Sequence, residues 1–213
     1  MAPQARSSGL LINDPACSAK TRAAYEQTFL NVRFAFLGTT GNTLLISAVD
    51  ESASAAPLAA NLALLAAEQG EKVLLVDADA YNQPLNDLFT LGQSPGFTNL
   101  IRLNGAEVQH ALQTTPTPNL RVVAAGAGGG VPGGLGRAPG LAEVMLRLKN
   151  SADRLIIVGT PILTHVDSMD LCSLVDGALL CMMPGKTHRE DAARARQVLD
   201  RVQAPLLGVV LIQ

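Results

Sequence analysis

The sequence predicts a doubly wound α/β fold with a mostly parallel sheet, and three observations lead there. The strand-like segments are nearly unbroken apolar runs, as in Thr43–Ala48, Val73–Val76 and Leu155–Val158. Strands covered on both faces read this way, whereas half-exposed strands alternate apolar and polar residues. These runs alternate with helical segments, the pattern that puts helices on both faces of a parallel sheet. Alanine is abundant and tryptophan is absent, which suits close helix-on-sheet packing more than an aromatic binding surface.

Each element follows in turn. Residues 1–19 are rich in Pro, Ser, Gly and Asn without a period and read as a flexible tail. Residues 20–36 read as a helix, with Ala24, Phe29, Val32 and Phe36 near helical spacing, broken at Gly38-Thr-Thr-Gly41. Thr43–Ala48 is the first strand. Pro57–Gln69 is an alanine-leucine helix, with Pro57 suited to its first turn and Gly70 to its C-cap. The second strand runs from Lys72 to Val76 and ends at Asp77. Residues 84–115 read as short helices and loops, and Leu120–Ala124 as a third strand. A glycine-rich stretch, Gly126–Gly140, leads into a helix over Leu141–Lys149. Then come strand Arg154–Val158, helix Val166–Leu174, strand Ala178–Met182, amphipathic helix His188–Val202 and strand Leu206–Ile212. The crossovers between parallel strands are expected to be right-handed.

The chain has 213 residues, enough for one domain, here assigned to 20–213. Its net charge of -2 argues against a strong nonspecific grip on nucleic acid or anionic membrane. The longest apolar runs, such as Gly177–Met183, fall far short of the ~20 residues a membrane span needs. The block Leu10–Ile12 is too short for a secretory signal, so the expected location is the cytosol. Cys17, Cys172 and Cys181 lack any metal or redox spacing, and the latter two read as small core residues. No metal site is predicted.

In doubly wound sheets ligands bind at the carboxyl ends of strands. The loop after the first strand, from Ser47 to Pro57, stands where a phosphate-binding loop would. Such a loop needs glycines that let backbone N–H groups face the phosphates, a lysine for their charge and a Ser/Thr hydroxyl for magnesium. This loop has no glycine and no lysine, and it places Asp50 and Glu51 where an anion would sit. A helix N-terminus favours an anion by only about 0.3–1 kcal/mol, which two nearby carboxylates can cancel.

Several segments taken together carry a resemblance. They are Ala59-Ala-Asn-Leu-Ala63 after the loop, Val73-Leu-Leu-Val-Asp-Ala-Asp79 with Pro84, and Thr160-Pro161 with Asp167. Val175-Asp-Gly177 and Gly185-Lys-Thr187 with Arg189-Glu190 complete the set. Their order and spacing, from about Ala23 to Leu211, resemble the catalytic domain of the bacterial tyrosine kinases (BY-kinases). These belong to the deviant-Walker P-loop ATPases, and the resemblance implies a three-layer α/β/α, P-loop NTPase-like architecture. It also implies work beside membrane polysaccharide co-polymerases in capsule and exopolysaccharide synthesis.

The departures from the family fall on its functional positions. Counting back from Asn61, the phosphate-loop lysine falls on Ala55, the magnesium hydroxyl on Ala56, and the loop glycines on Asp50, Ser52 and Ser54. The aspartate that ends the third-motif strand is Gly159. The arginines after the second acidic motif are replaced around Tyr81 and Asn82. The Glu and two Arg of the ring-forming N-terminal helix are Ala23, Glu26 and Phe29, while Tyr25, Asn31 and Phe34 persist. The family's C-terminal tyrosine cluster has no counterpart, since Tyr25 and Tyr81 are the only tyrosines. Phosphoryl transfer depends on positioning and charge stabilisation, so the joint loss of these groups implies a non-catalytic, pseudokinase member with a degenerate Walker A loop and no cofactor.

Asp77, Asp79 and Thr160 are what remains of the family's pocket. In the family the first aspartate would act near magnesium. Without the loop lysine both aspartates read here as strand-end, turn-capping carboxylates. Gly128, Gly130 and Gly133 fit a G-x-G-x-x-G pattern, but Pro132 lies inside it and the helix begins too late, so a flexible surface loop is expected. Lys186, His188 and Arg189 read as a solvated helix start, and His110 and His165 as structural or surface residues.

The expectation is therefore a cytoplasmic scaffold that meets the inner membrane through a partner. That partner would be the cytoplasmic region of a co-polymerase or an active kinase homologue, in a homo- or hetero-oligomer. Two alternatives stand: a weak ATP/ADP-binding kinase or ATPase with an altered mechanism, and a degenerate partition or septum-placement ATPase acting as an adaptor.

Overall fold

The computed structural model describes residues 10–92, 95–104, 108–127, 129–131 and 134–212. The sheet has seven strands in the order β3-β4-β2-β5-β1-β6-β7. They are β1 (Thr43–Ala48), β2 (Val73–Asp77), β3 (Gln113–Thr114), β4 (Leu120–Val123), β5 (Arg154–Val158), β6 (Gly177–Met182) and β7 (Leu206–Leu211). All pair in parallel except β3, which runs antiparallel to β4 at one edge. The helices are α1 (Ala19–Ala35), α2 (Ala56–Glu68), α3 (Pro84–Phe89), α4 (Phe97–Arg102), α5 (Val108–Ala111), α6 (Leu141–Lys149), α7 (Asp167–Cys172) and α8 (Arg189–Arg201). The mostly parallel α/β fold is as the sequence predicts.

The unbroken apolar strands are explained by two cores, one on each face. Along β1, Leu44, Ile46 and Ala48 join the core under α1 and α2. Leu45 turns the other way, into the core that holds Leu100, Val144 and Leu199 of α4, α6 and α8. Because side chains alternate along a strand, a sheet covered on both faces must be apolar at every position.

Helix α2 explains the alanine. It lies between the sheet and α1, and from Ala56 to Ala67 every residue but Pro57 is buried. Alanine allows that close approach on all sides. Gly70, at φ 87°, ends the helix in the left-handed conformation expected at its C-cap.

Three expectations need correction. The predicted tail of residues 1–19 lies outside the described residues over 1–9, but over 10–18 the chain is docked. Asn61, wholly buried on α2, accepts from the Ile12 N–H at 2.8 Å and donates to the Leu10 carbonyl at 2.9 Å. Ile12 is 5% exposed and packs into the α1–α2 core. The segment lacks a period because it is a run of turns, with Asp14 N–H bonded to the Leu11 carbonyl and Cys17 N–H to the Asp14 carbonyl, held down by one buried amide, and α1 then starts at its N-cap Ser18. Second, β3 was not foreseen. Third, the glycine-rich stretch ahead of α6 holds a turn that no pattern predicts, Leu135–Arg137, where Asp167 accepts from the Leu135 N–H and Asp170 from the Gly136 N–H. Gly128, Pro132 and Gly133 lie outside the described residues.

Asn61 makes a direct stability prediction. Asn61→Ala leaves the buried Ile12 N–H without its acceptor and opens a gap beside α2. The expected loss in urea unfolding is about 2–3 kcal/mol. An unchanged midpoint would show that the strap does not brace the fold.

Candidate functional site

The carboxyl ends of β1, β2 and β5 converge on a cavity of about 400 Å³ between the β1–α2 loop and the turn after β2. Its lining includes Glu51, Ser52, Ala55, Asp79, Asn82 and Gly159, and no lysine or arginine is among the lining residues. Of the positions singled out in the sequence, Glu51, Ser52, Ser54, Ala55, Asp79, Asn82 and Gly159 therefore face this space, whereas Asp77, Ala56 and Thr160 are buried and do not line it.

The β1–α2 loop folds onto itself. The Asp50 carboxylate accepts from the backbone N–H of Ser52 at 2.8 Å and from its hydroxyl. Ser52 Oγ in turn lies 3.0 Å from Thr187 Oγ1, which joins this loop to the one after β6. Burial works to raise the Asp50 pKa, but hydrogen bonds from Ser52 and Thr187, with His188 nearby, outweigh it and hold the group below its ordinary value. An aspartate thus supplies acceptors where a phosphate loop would offer donors. Ala55 caps α2 without any side-chain hydrogen bond, and both Ala55 and Ala56 are buried.

The two aspartates after β2 are occupied by the turn they start. Asp77 is 0% exposed and accepts the N–H groups of Asp79 and Leu85, both at 3.0 Å. Burial pushes its pKa up to about 7, against the two hydrogen bonds, which lower it. Asp79 accepts from the N–H groups of Tyr81 and Asn82, both at 3.1 Å, and from the Asn82 side chain at 3.0 Å. Together they fix the turn after β2 and the start of α3.

At the end of β5, the Gly159 N–H donates to the Ile46 carbonyl at 2.9 Å. A Cβ on Gly159 would stand 2.4 Å from Ser168 Oγ and 3.0 Å from Leu45 Cδ1. Ser168 is committed: its hydroxyl donates to the Thr160 carbonyl at 2.7 Å and lies 3.1 Å from Thr160 Oγ1. Thr160 is wholly buried, and its carbonyl also accepts from Ser47 Oγ at 2.6 Å. Its carbonyl therefore ties β1 and α7 to the end of β5, and its hydroxyl is engaged by Ser168.

Sequence reasoning missed the rim. The Tyr81 and His165 rings stack with centroids 4.2 Å apart and planes at 15°. His165 Nε2 lies 3.6 Å from Glu51 Oε1. These three residues come from the loops after three different strands, so no local pattern announces them. Asp167 and Asp176, quoted from the third-motif region, have structural partners. Asp167 holds Leu135, and Asp176 accepts from the N–H groups of Asn42 and Thr43, each at 3.0 Å. Lys186, His188 and Arg189 are exposed, as is His110 on α5. Cys172 and Cys181 are buried, and burial pushes both thiols up to about 12. Of the ring-helix positions, Phe29 is in the core and Glu26 pairs with Arg22 at 2.9 Å.

Among the described residues, no helix is long and apolar enough to cross a membrane, and no group of three or more His, Cys, Asp or Glu is arranged to hold a metal ion.

No protein-family model matches the chain. Among curated proteins it is 29% identical over 187 residues to the tyrosine-protein kinase YwqD of Bacillus subtilis, covering 88% of this chain and 78% of that one. It is 28% identical over 193 residues to the tyrosine-protein kinase CpsD of Streptococcus agalactiae, covering 90% and 83%. Among solved structures, the chimerical protein CapA2B2 superposes with a TM-score of 0.85 at 23% identity, over 96% of this chain and 89% of that one. The kinase domain of the Escherichia coli tyrosine kinase ETK gives 0.74 at 20% identity, over 90% and 74%. The septum site-determining protein MinD of Pyrococcus horikoshii, solved with Mg-ADP, gives 0.65 at 22% identity, over 80% and 69%. The structural likenesses show a P-loop NTPase-type fold. The chain is thus similar in sequence to bacterial tyrosine-protein kinases and shares the fold of their kinase domains.

Proposed function

We propose that this chain is a non-catalytic bacterial tyrosine-kinase relative, a pseudokinase that works by contact in exopolysaccharide or capsule biosynthesis and export. One observation carries the reading. The cavity where this fold would hold a nucleotide's phosphates is lined by Glu51 and Asp79, with no lysine or arginine facing it. Phosphoryl transfer needs positive charge at that place, from a lysine, an arginine or a metal.

The residues present do not fit a magnesium nucleotide. Ala55 and Ala56 supply neither cation nor hydroxyl at the start of α2. Gly159 has no room for a carboxylate. Asp77 and Asp79 are taken up by the backbone of residues 79–85. Weak nucleotide binding through these two aspartates would require breaking the turn they hold.

The partner in this reading is the cytoplasmic region of a membrane polysaccharide co-polymerase or an active kinase homologue. The chain would then sit at the inner face of the membrane through that partner. The test is titration of the purified chain against such a cytoplasmic segment, with and without Mg-ATP. Binding that is saturable and indifferent to nucleotide is expected. Binding that appears only with ATP present would overturn the contact-only reading.

A further inference from the structure

A second cavity, of about 470 Å³, lies at the amino end of the sheet, where β2 and β4 begin. Its make-up follows from strand register. Arg121 of β4 stands opposite Leu74 of β2 on one side and Thr114 of β3 on the other. Paired residues of neighbouring strands share a face, and so does Lys72, two residues before Leu74. Lys72, Arg121 and Thr114 are therefore gathered on one face, and all three line the cavity. Leu112 and Pro118 add apolar wall.

The two cations are not spent on the fold. Among the described residues, neither the Lys72 ammonium nor the Arg121 guanidinium has an ion-pair or hydrogen-bond partner. Of the acids nearby in the chain, Glu71 pairs with Arg154 at 3.0 Å. Asp153 accepts the Lys72 backbone N–H at 2.8 Å and does not line the cavity. The hydroxyls of Thr114 and Thr117, both in the lining, are likewise unengaged among the described residues. The wall itself is held from within. Thr115 Oγ1 accepts from the Thr117 N–H at 3.2 Å, and the carbonyl of Asn119, a residue at φ 66°, accepts from the Val73 N–H at 2.8 Å. A cavity already shaped loses less entropy on binding than one that must be ordered.

We propose that this cavity binds a small phosphate monoester with a hydroxylated body. A guanidinium fork beside an ammonium suits a dianionic phosphate. The two threonine hydroxyls can then meet hydroxyl groups of the body. No aromatic side chain is among the lining residues, so a nucleobase has nothing to stack on. The volume falls within the ~300–1,000 Å³ usual for small-molecule sites. The cavity lies at the opposite end of β2 from Asp79, so this assignment stands apart from the reading of the strand-end site.

The test is calorimetric titration of the whole chain at low salt with glucose 1-phosphate, inorganic phosphate and AMP. Saturable binding of glucose 1-phosphate is expected, with inorganic phosphate and AMP both weaker. Arg121→Gln and Lys72→Gln are each expected to weaken glucose 1-phosphate binding about tenfold. Both side chains are exposed, so circular dichroism and melting should not change. Lys186→Gln removes the same charge at an exposed position after β6 and is expected to leave binding intact. The assignment is overturned by an absence of saturable glucose 1-phosphate binding, or by inorganic phosphate or AMP binding as tightly. Binding that survives both the Arg121 and Lys72 variants, or that falls equally in Lys186→Gln, overturns it as well.

Discussion

Gly159→Asp, the substitution that restores the acidic residue of the family's third motif, is expected to destabilise the protein by about 3 kcal/mol or more. It is not expected to create a magnesium site. A Cβ at that position meets Ser168 Oγ at 2.4 Å, closer than a real Cβ ever comes to a neighbour. Ser168 cannot simply rotate away, because its hydroxyl is bonded to Thr160 at the junction of β1, β5 and α7. The added carboxylate would also enter a wall with no cation beside it. A double-mutant cycle isolates the steric part. Gly159→Ala alone should cost about 1–3 kcal/mol, and Ser168→Ala in the same chain should recover much of it, because the next contact is the flexible end of Leu45. Urea unfolding of the four proteins measures the coupling. A Gly159→Asp protein as stable as its parent would show that the site retains room for the acid.

Stability is expected to fall as pH rises through neutrality. Asp77 is wholly buried, and burial lifts its pKa to about 7 in the folded protein. An unfolded aspartate titrates near ~3.9. Between the two values the folded state binds one proton more than the unfolded state. The contribution of this group is therefore fully present below the unfolded value and is lost as pH rises through the folded one. The slope is about 1.4 kcal/mol per pH unit, and from pH ~5 to ~8 the expected loss is roughly 3 kcal/mol. Asp77→Asn removes the titration, so its stability should change far less over the same range, whatever its absolute value. Urea midpoints of both proteins across that range decide the matter. Parallel curves would show that Asp77 is ionised in the fold throughout.

Much of this architecture is legible in the sequence. The runs at Thr43–Ala48, Val73–Val76 and Leu155–Val158 are apolar at nearly every position because two cores claim alternate residues of each. Local pattern places Ala55, Ala56 and Gly159 at a helix start and a strand end, and the family resemblance alone implies that they stand in for a lysine, a hydroxyl and an aspartate. What could not be read depends on long-range contact. The strap at Leu10–Ile12 is held by Asn61, 49 and 51 positions along the chain, so composition alone made it a tail. Strand β3 is two polar residues with no period to detect. The Tyr81–His165 stack joins separate loops. That Gly159 lacks room for a side chain is a property of Ser168 and Leu45, and no pattern around residue 159 reveals it.

The aspartates show the same division. Their place after β2 follows from the motif, but their engagement does not. Each could have faced a ligand, and instead each accepts two backbone N–H groups from the turn that follows. A carboxylate so engaged serves the fold, and for Asp77 complete burial adds the pH dependence set out above.

The central claim, that the cavity at the strand ends no longer holds a nucleotide, is tested most directly by calorimetric titration of the folded chain with Mg-ATP and Mg-ADP. The prediction is no heat of binding up to millimolar nucleotide. Saturable binding in the micromolar range, lost in Asp77→Ala or Asp79→Ala, would contradict it and show that the site had been rebuilt around those two carboxylates.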